Sequence, residues 1–368
     1  MATLMQPESA AIPKTMKAWA LFGPNDLRAV EKPVPTPGPG EVLVKVNAIA
    51  ICGTDLEIIA HGLPAMIEGE LPFNGSFVPG HEYVATVASL GEGVDEFAVG
   101  DRVTVEVHAG CGRCERCRHG MYTSCLNYSK RAKGHRANGF TTDGAFAEYT
   151  VNHINTLVKV PAFMSDEEAT LVVTSGTAMY ALDVLGGLIA GETIVVTGPG
   201  PIGLMGAACA KALGATVILT GTRDNRLALG QQLGADHVVN VRNEDPNEAI
   251  KRLTQGEGVD LVLECSGAPN AVNEGMLMLK RGGKLCLAAF PKEQVTIDLA
   301  YMVRNNIYMY GIRGEGRGAV KRGLALMAQR KFDATPMVSA VFPLAELPEA
   351  LRTARERIGD AIKVVVKP

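Results

Sequence analysis

The spacing of apolar and polar positions changes character near Pro161. Before it, short β-rich runs at 17–21, 41–51, 82–90 and 100–106 are separated by Gly and Pro, most densely across 35–40, and predict strands. These strands are expected to build an antiparallel, barrel-like domain. After it, strand-length apolar runs at 193–197, 216–220, 237–240, 259–266, 283–289 and 307–312 are separated by helix-length segments such as 202–213, 225–233, 246–254 and 270–280. That alternation predicts a doubly wound parallel sheet, so the chain is of the α/β class with a second, β-rich domain. A further helix is expected at 318–329. The last run, 361–368, is strand-like with no helix after it, and can return to the first domain. There is no internal repeat and no low-complexity linker.

The length, 368 residues, agrees with two domains. With 36 basic and 39 acidic residues the net charge is -3, which argues against a nucleic-acid binder driven by phosphate contacts. At 47% hydrophobic the chain is not a disordered one. The longest apolar runs, such as 285–290, fall far short of the roughly 20 residues of a membrane span. Residues 1–13 read as a small polar tail without the basic start and apolar block of a signal peptide. A soluble cytoplasmic protein without nucleic-acid or membrane partners is expected.

Three constellations carry chemistry. Cys111, Cys114, Cys117 and Cys125 lie within fifteen residues, a spacing suited to four thiolates closing a tetrahedral zinc site. An iron–sulfur cluster or four unrelated cysteines are the alternatives. A closed site performs no chemistry, so this one is assigned to structure. Second, Gly198, Gly200 and Gly203 form Gly-x-Gly-x-x-Gly, with Pro201 and Ile202 between, after a buried strand and at the start of a helix. Such a loop cradles a dinucleotide pyrophosphate against free helix N–H groups. The acidic residue expected on the ribose 2′-hydroxyl is missing, with Gly221 in its place. Thr222, Arg223 and Arg226 are suited instead to a 2′-phosphate, which favours NADP. NAD, with Asp224 on the 2′-hydroxyl, is the alternative. Ser266, closing the run 259–266, is assigned to the same cofactor face. Third, Cys52 in Ile-Cys-Gly-Thr-Asp and the pair His81 and Glu82 in Pro-Gly-His-Glu offer sulfur, nitrogen and oxygen to a zinc ion with one position left open.

With these motifs in this order, and with Gly-Asp-Arg-Val at Gly100, the chain resembles the zinc-containing medium-chain dehydrogenase/reductase family over nearly its whole length. It looks most similar to the polyol and sugar dehydrogenase branch. The resemblance implies a GroES-like catalytic domain over 1–163, with the structural zinc lobe at about 108–128. It further implies a Rossmann coenzyme domain over 164–318 and a C-terminal segment, 319–368, returning to the catalytic domain. Cys52 and His81 match catalytic zinc ligands, and Glu82 matches the glutamate that ligates zinc in sorbitol-dehydrogenase-like members. Other members take a third ligand just before the nucleotide domain. Here that stretch, Leu171 to Gly176, holds no strong ligand, which leaves Glu82 as the third and water as the fourth. Thr54 matches the hydroxyl that relays the alcohol proton. Relatives carry a histidine three residues later where this chain has Glu57, so the proton leaves through Glu57 or through the cofactor ribose. Arg313 approximately matches an arginine near the polyol. The remaining histidines, His108 and His135 among them, are read as structural or exposed.

The reaction implied is hydride transfer between a secondary alcohol (a polyol, a sugar or a related compound) and NADP, with two zinc ions per chain and a homodimeric or homotetrameric assembly. The competing readings are a metal-free enone or quinone reductase, an NAD-preferring alcohol dehydrogenase, and a non-catalytic nucleotide sensor.

Overall fold

The computed structural model describes residues 11–62, 77–291 and 293–368, so residues 1–10 of the expected polar tail lie outside it. An antiparallel hairpin, β1 (Thr15–Leu21) and β2 (Leu27–Pro33), leads into β3 (Glu41–Ala50), the spine of the first domain. Helix α1 (Gly53–His61) follows, then β4 (Glu82–Leu90), β5 (Arg102–Val105) and β6 (His108–Gly110). The cysteine loop carries one turn of helix, α2 (Glu115–Arg118), and returns through β7 (Arg136–Ala137), β8 (Tyr149–His153) and β9 (Leu157–Lys159). Val42, Val44, Val46, Ile49, Val84 and Val87 are all fully or nearly fully buried, because β3 and β4 are covered on both faces.

Two short helices, α3 (Asp166–Thr170) and α4 (Val172–Met179), lead to the second domain. Its strands are β10 (Thr193–Thr197), β11 (Thr216–Gly221), β12 (His237–Asn240), β13 (Val259–Glu264), β14 (Leu279–Leu287) and β15 (Tyr308–Gly311). Between them run α5 (Pro201–Ala212), α6 (Asp224–Gln232), α7 (Pro246–Leu253), α8 (Ala271–Met278) and α9 (Leu299–Arg304). The sheet order is β12-β11-β10-β13-β14-β15, every pair parallel. The order reverses beside β10, which opens a crevice at the carboxyl ends of β10 and β13. The expected helix at 270–280 stops at Met278 and the strand begins at Leu279, because Gly282, at a φ of 79°, and Gly283 cannot prolong a helix.

The C-terminal stretch divides its loyalties. Helix α10 (Ala319–Ala328) packs on α4, where Gly176 lets Val320 approach so closely that an added Cβ would lie 2.6 Å from a Val320 methyl. After it, β16 (Val338–Pro343), α11 (Leu347–Glu356) and β17 (Lys363–Lys367) rejoin the first domain. There the sheet order is β16-β17-β3-β4-β5-β9, with β8 also paired to β3. Helix α4 sits between the two cores: Val172 packs with the second domain, Val173 with the first.

A second seam crosses the molecule at 312–318. Glu315 accepts a hydrogen bond from the Val107 amide (2.6 Å), the Arg317 amide donates to the Gly120 carbonyl (3.0 Å), and Arg313 donates to the Thr123 carbonyl (3.1 Å). Between the domains lies a cleft of about 320 Å³ lined by Thr123, Ser124, Tyr180, Gly311, Ile312 and Arg313. Glu106 and Glu315 are both buried at this seam. Burial, reinforced by the Glu315 carboxyl, raises the Glu106 pKa to about 8, and burial raises that of Glu315 to about 7. Each folded-state value exceeds the ordinary 4.5, so between about pH 4.5 and pH 8 the folded protein holds protons that the unfolded chain has released. Stability from these groups is therefore greatest at acid pH and declines as pH rises through that window. Glu106→Gln, neutral at every pH, is expected to flatten the decline, with its relative gain in melting temperature larger at pH 9 than at pH 5. The shift should be about 2–4 °C for each kcal/mol recovered. Parallel loss of stability in variant and parent between pH 5 and pH 9 would contradict the protonated pair.

Candidate active site

Cys52 follows β3 and caps the N-terminus of α1, where a thiolate gains from free N–H groups and the helix dipole. One carboxylate organises its surroundings. Asp55, fully buried, accepts the Cys52 amide on Oδ2 (2.9 Å) and faces His81 Nδ1 with Oδ1 (2.9 Å). The Asp55 contact favours the proton on Nδ1 of His81 and leaves Nε2 as the lone-pair donor. Burial would lower the basicity of His81; Asp55 outweighs it and holds the pKa well above the ordinary imidazole value. Glu82, the next residue, opens β4 beside Ala50 of β3, and Glu82 Oε2 is ion-paired with the buried Lys363 of β17. Donor atoms of Cys52, His81 and Glu82 lie within 4.8 Å of one another. One sulfur, one nitrogen and one oxygen with room for a further ligand is a donor set that fits catalytic zinc. Thr54 Oγ1 lies 3.7 Å from Cys52 Sγ.

The four lobe cysteines also converge, with their sulfurs within 4.8 Å of one another and Cys111 and Cys117 3.9 Å apart. Tetrahedral zinc with bonds of about 2.3 Å requires sulfur separations of about 3.8 Å, so the set fits a closed four-thiolate site. N–H groups already point at the sulfurs: Cys114 and the Asn127 side chain donate to Cys111, and the Asn127 amide donates to Cys125. Burial works against ionising Cys111, but these bonds prevail and bring its pKa down to about 6. Burial prevails at Cys125 and pushes its thiol up.

From His81 a wall of rings runs toward the cleft. Phe140 packs on His81 (4.9 Å between centroids) and on His108 (5.4 Å), His108 Nε2 pairs with the Tyr128 hydroxyl (3.1 Å), and Tyr128 stacks with His135 (4.3 Å) and under Arg313 (4.7 Å). His108 Nδ1, His135 Nε2 and Glu106 Oε1 are buried without a partner. Burial, aided by Arg313, holds both histidines neutral, with His135 down at about 4. Read from sequence as structural or exposed, these two histidines are instead buried polar groups facing unmet hydrogen bonds. Neither stands in a motif, and their pairing depends on a loop of irregular structure.

Other expected residues fare unevenly. Glu57 is on the exposed face of α1 beside His61 (3.7 Å), and no hydrogen bond among the described residues joins it to Thr54. Arg313 is held by Thr123 and Tyr128, on the catalytic-domain side of the cleft. The stretch around Val172 is buried helix, and the Thr174 hydroxyl there has no partner.

At the carboxyl end of β10, Gly198 has φ 84°, and a Cβ there would lie 2.9 Å from the Ser266 backbone; one on Gly203 would lie 2.0 Å from the Gly198 carbonyl oxygen. A Cβ on Gly200 would meet nothing within 4 Å, so this side of the loop is open at the start of α5, with Pro201 in its first turn. That opening over unpaired helix N–H groups fits a pyrophosphate. Ser266 does not face outward freely: its amide and hydroxyl both donate to Glu264, as does the Gly267 amide (2.7, 2.5 and 2.9 Å), so Ser266 shapes the loop behind the glycines. At the end of β11 a Cβ on Gly221 would lie 2.5 Å from Pro199 Cδ, which excludes any acidic residue at that position. Thr222 is exposed; Arg223 and the buried Arg226 both reach Asp360 of the C-terminal segment, and Asp224 is held by Asn240 (2.6 Å).

Residues 38–162 match the alcohol dehydrogenase GroES-like domain, and residues 201–329 match the zinc-binding dehydrogenase domain. The chain is 33% identical to the sorbitol dehydrogenase of Bacillus subtilis over 97% of its own length and 98% of that protein's. It is 40% identical to the L-threonine 3-dehydrogenase of Pyrococcus horikoshii over 77% of this chain and 79% of the other. Among solved structures, one described as a zinc-binding dehydrogenase from Sinorhizobium meliloti bound to NADP superposes with a TM-score of 0.84 at 28% identity, covering 97% of this chain and 100% of that one. No helix among the described residues is long and apolar enough to cross a membrane. An oxidoreductase of GroES-like and Rossmann architecture, the chain belongs to the zinc-containing medium-chain dehydrogenase/reductase family, near its polyol dehydrogenases.

Proposed function

We propose that the protein catalyses the reversible, zinc-dependent oxidation of a secondary alcohol (a polyol, a sugar or a related compound) to its ketone, with NADP as the preferred hydride acceptor. The observation that carries it is the convergence of Cys52, His81 and Glu82, oriented by Asp55 and Lys363, beside an interdomain cleft. When bound, the metal supplies Lewis acidity toward the alcohol oxygen, and the nicotinamide accepts hydride. The chain's own part is positioning and proton traffic. Thr54, next to Cys52, takes the hydroxyl proton and passes it on. With Glu57 turned to solvent, the cofactor ribose is the better-supported exit for that proton. Neutral His108 and His135 and cationic Arg313 offer hydrogen bonds to a substrate bearing further polar groups, which favours a polyhydroxy compound over an apolar alcohol. The likeness to L-threonine 3-dehydrogenase supports a second reading, a hydroxy amino acid as substrate.

The NADP preference is supported by the exclusion of an acidic residue at Gly221 and by Arg223 beyond it. We further propose domain limits at about 163 and 318, and a homo-oligomer. The latter is supported by the edge strand β15, whose Tyr308 is exposed together with Leu299 and Val303 nearby.

Two experiments test the assignment. Cys52→Ser is expected to lower zinc from two to one per chain and to abolish turnover of a polyol, sugar and threonine panel, while NADPH binding measured by nicotinamide fluorescence stays within about twofold. Unchanged zinc content would remove Cys52 from the metal site. Arg223→Ala is expected to weaken NADPH binding by about tenfold or more and NADH binding little, in line with the loss of a charge-assisted bond. An unaltered ratio of the two dissociation constants would defeat the NADP preference.

A further inference from the structure

The carboxyl end of β11 faces more positive charge than the Rossmann domain alone supplies. Asp360 gathers the side chains there: Arg223 Nη1 donates to its Oδ1 (2.5 Å), Asn225 Nδ2 to its Oδ2 (2.6 Å), and Arg226 Nε lies 3.1 and 3.2 Å from the two oxygens. Arg226 is only 7% exposed, and its Nη2 is spent on the carbonyls of Asp360 and Ala361. It anchors the C-terminal segment and has little left for a ligand. Arg357 enters the same corner through a tight turn in which the Asp360 amide donates to the Arg357 carbonyl (2.9 Å). Three guanidinium groups therefore surround one carboxylate. The excess of two positive charges matches a phosphate monoester, which carries nearly two negative charges at neutral pH. Burial and the nearness of Arg223 and Arg226 hold the Arg357 pKa below its ordinary value, as expected of a cation among cations.

Arg357 also sits where an arginine is costly. It ends α11 in the left-handed conformation, φ 56° and ψ 43°, a position that favours glycine. Its side chain is exposed rather than packed, so no core contact offsets that strain.

We infer that Arg357 is a second ligand for the 2′-phosphate of NADP, so that the pocket reading this phosphate is shared between Arg223 of the Rossmann domain and the C-terminal segment. The inference rests on the NADP assignment above. Because β16 and β17 lie in the first-domain sheet, a 2′-phosphate held by both arginines ties the two domains at the adenosine end of the cleft, whereas NAD does not.

The test uses the zinc-loaded, full-length protein with adenosine 2′,5′-bisphosphate and 5′-AMP as probes, titrated calorimetrically. Arg357→Gly keeps the left-handed turn without strain, so its melting temperature should equal or exceed the parent's. Affinity for the bisphosphate should fall about tenfold, 5′-AMP affinity should stay within about twofold, and the salt dependence of bisphosphate binding should become shallower. Arg357→Lys should restore part of the loss. If Arg223→Ala weakens the bisphosphate and Arg357→Gly does not, the inference fails while the NADP assignment stands. If the parent does not distinguish the two probes, the NADP assignment itself fails. An equal fall for both probes in Arg357→Gly would make Arg357 a structural residue and overturn the inference.

Discussion

Lys363 and Glu82 are 281 residues apart in sequence, and both are buried. Taking one of these charges out of water without the other would cost several kcal/mol, of order 3–5. The pair therefore demands that the chain, after building an entire Rossmann domain, return with its last strand in the right register on β3. That return closes the first-domain sheet and sets Lys363 beside the carboxylate that stands next to His81. The geometry at Glu82 is thus not complete until the end of the chain is in place. The catalytic domain is first in sequence and last to be finished.

Asp55 acts similarly at shorter range. One carboxylate holds the Cys52 backbone and the His81 ring together, so two ligands from different elements share one reference point. Glu264 plays the same part in the other domain, drawing the Thr197 hydroxyl and the loop at Ser266 together behind the glycines. In each case a buried acid is satisfied by N–H or O–H donors from the segment it positions. The energy of those bonds goes into fixing loops that would otherwise fluctuate. At the seam the logic reverses: Glu106 and Glu315 face one another with too few donors, and burial keeps them protonated instead.

What could be read from sequence was local. The four-cysteine spacing and the glycine loop specify their geometry within fifteen residues or fewer, and each converged as a unit. The alternation of strands and helices foretold the parallel sheet because each βαβ crossover is itself a short-range pattern. What escaped reading depends on contacts between distant segments. A lysine in the apolar run Val364–Val366 signals a buried partner only once that run is known to be an interior strand. His108 and His135 carry no motif, and their neighbours come from β6, from the loop after Cys125 and from the seam at Arg313. Glu57 was placed by its spacing from Thr54, yet the face of α1 that carries it turns toward solvent because Asp55, Ile58 and Ile59 claim the buried one.

The absence of an acidic residue at Gly221 is more than a missing letter. Pro199 stiffens the pyrophosphate loop and lies against Gly221, so no side chain of any kind fits at the end of β11. A proline in the first domain-two loop thereby removes the residue type that would favour a free 2′-hydroxyl, twenty-two positions before the site it affects. Asp360 then prevents the arginines that replace it from repelling one another. Preference for one dinucleotide over another is built here by steric exclusion at one residue and by charge supplied from two domains. Exchanging Arg223 alone would remove charge but would leave Pro199 barring the acid that an NAD site requires. A reversal of preference in this fold must begin at Pro199.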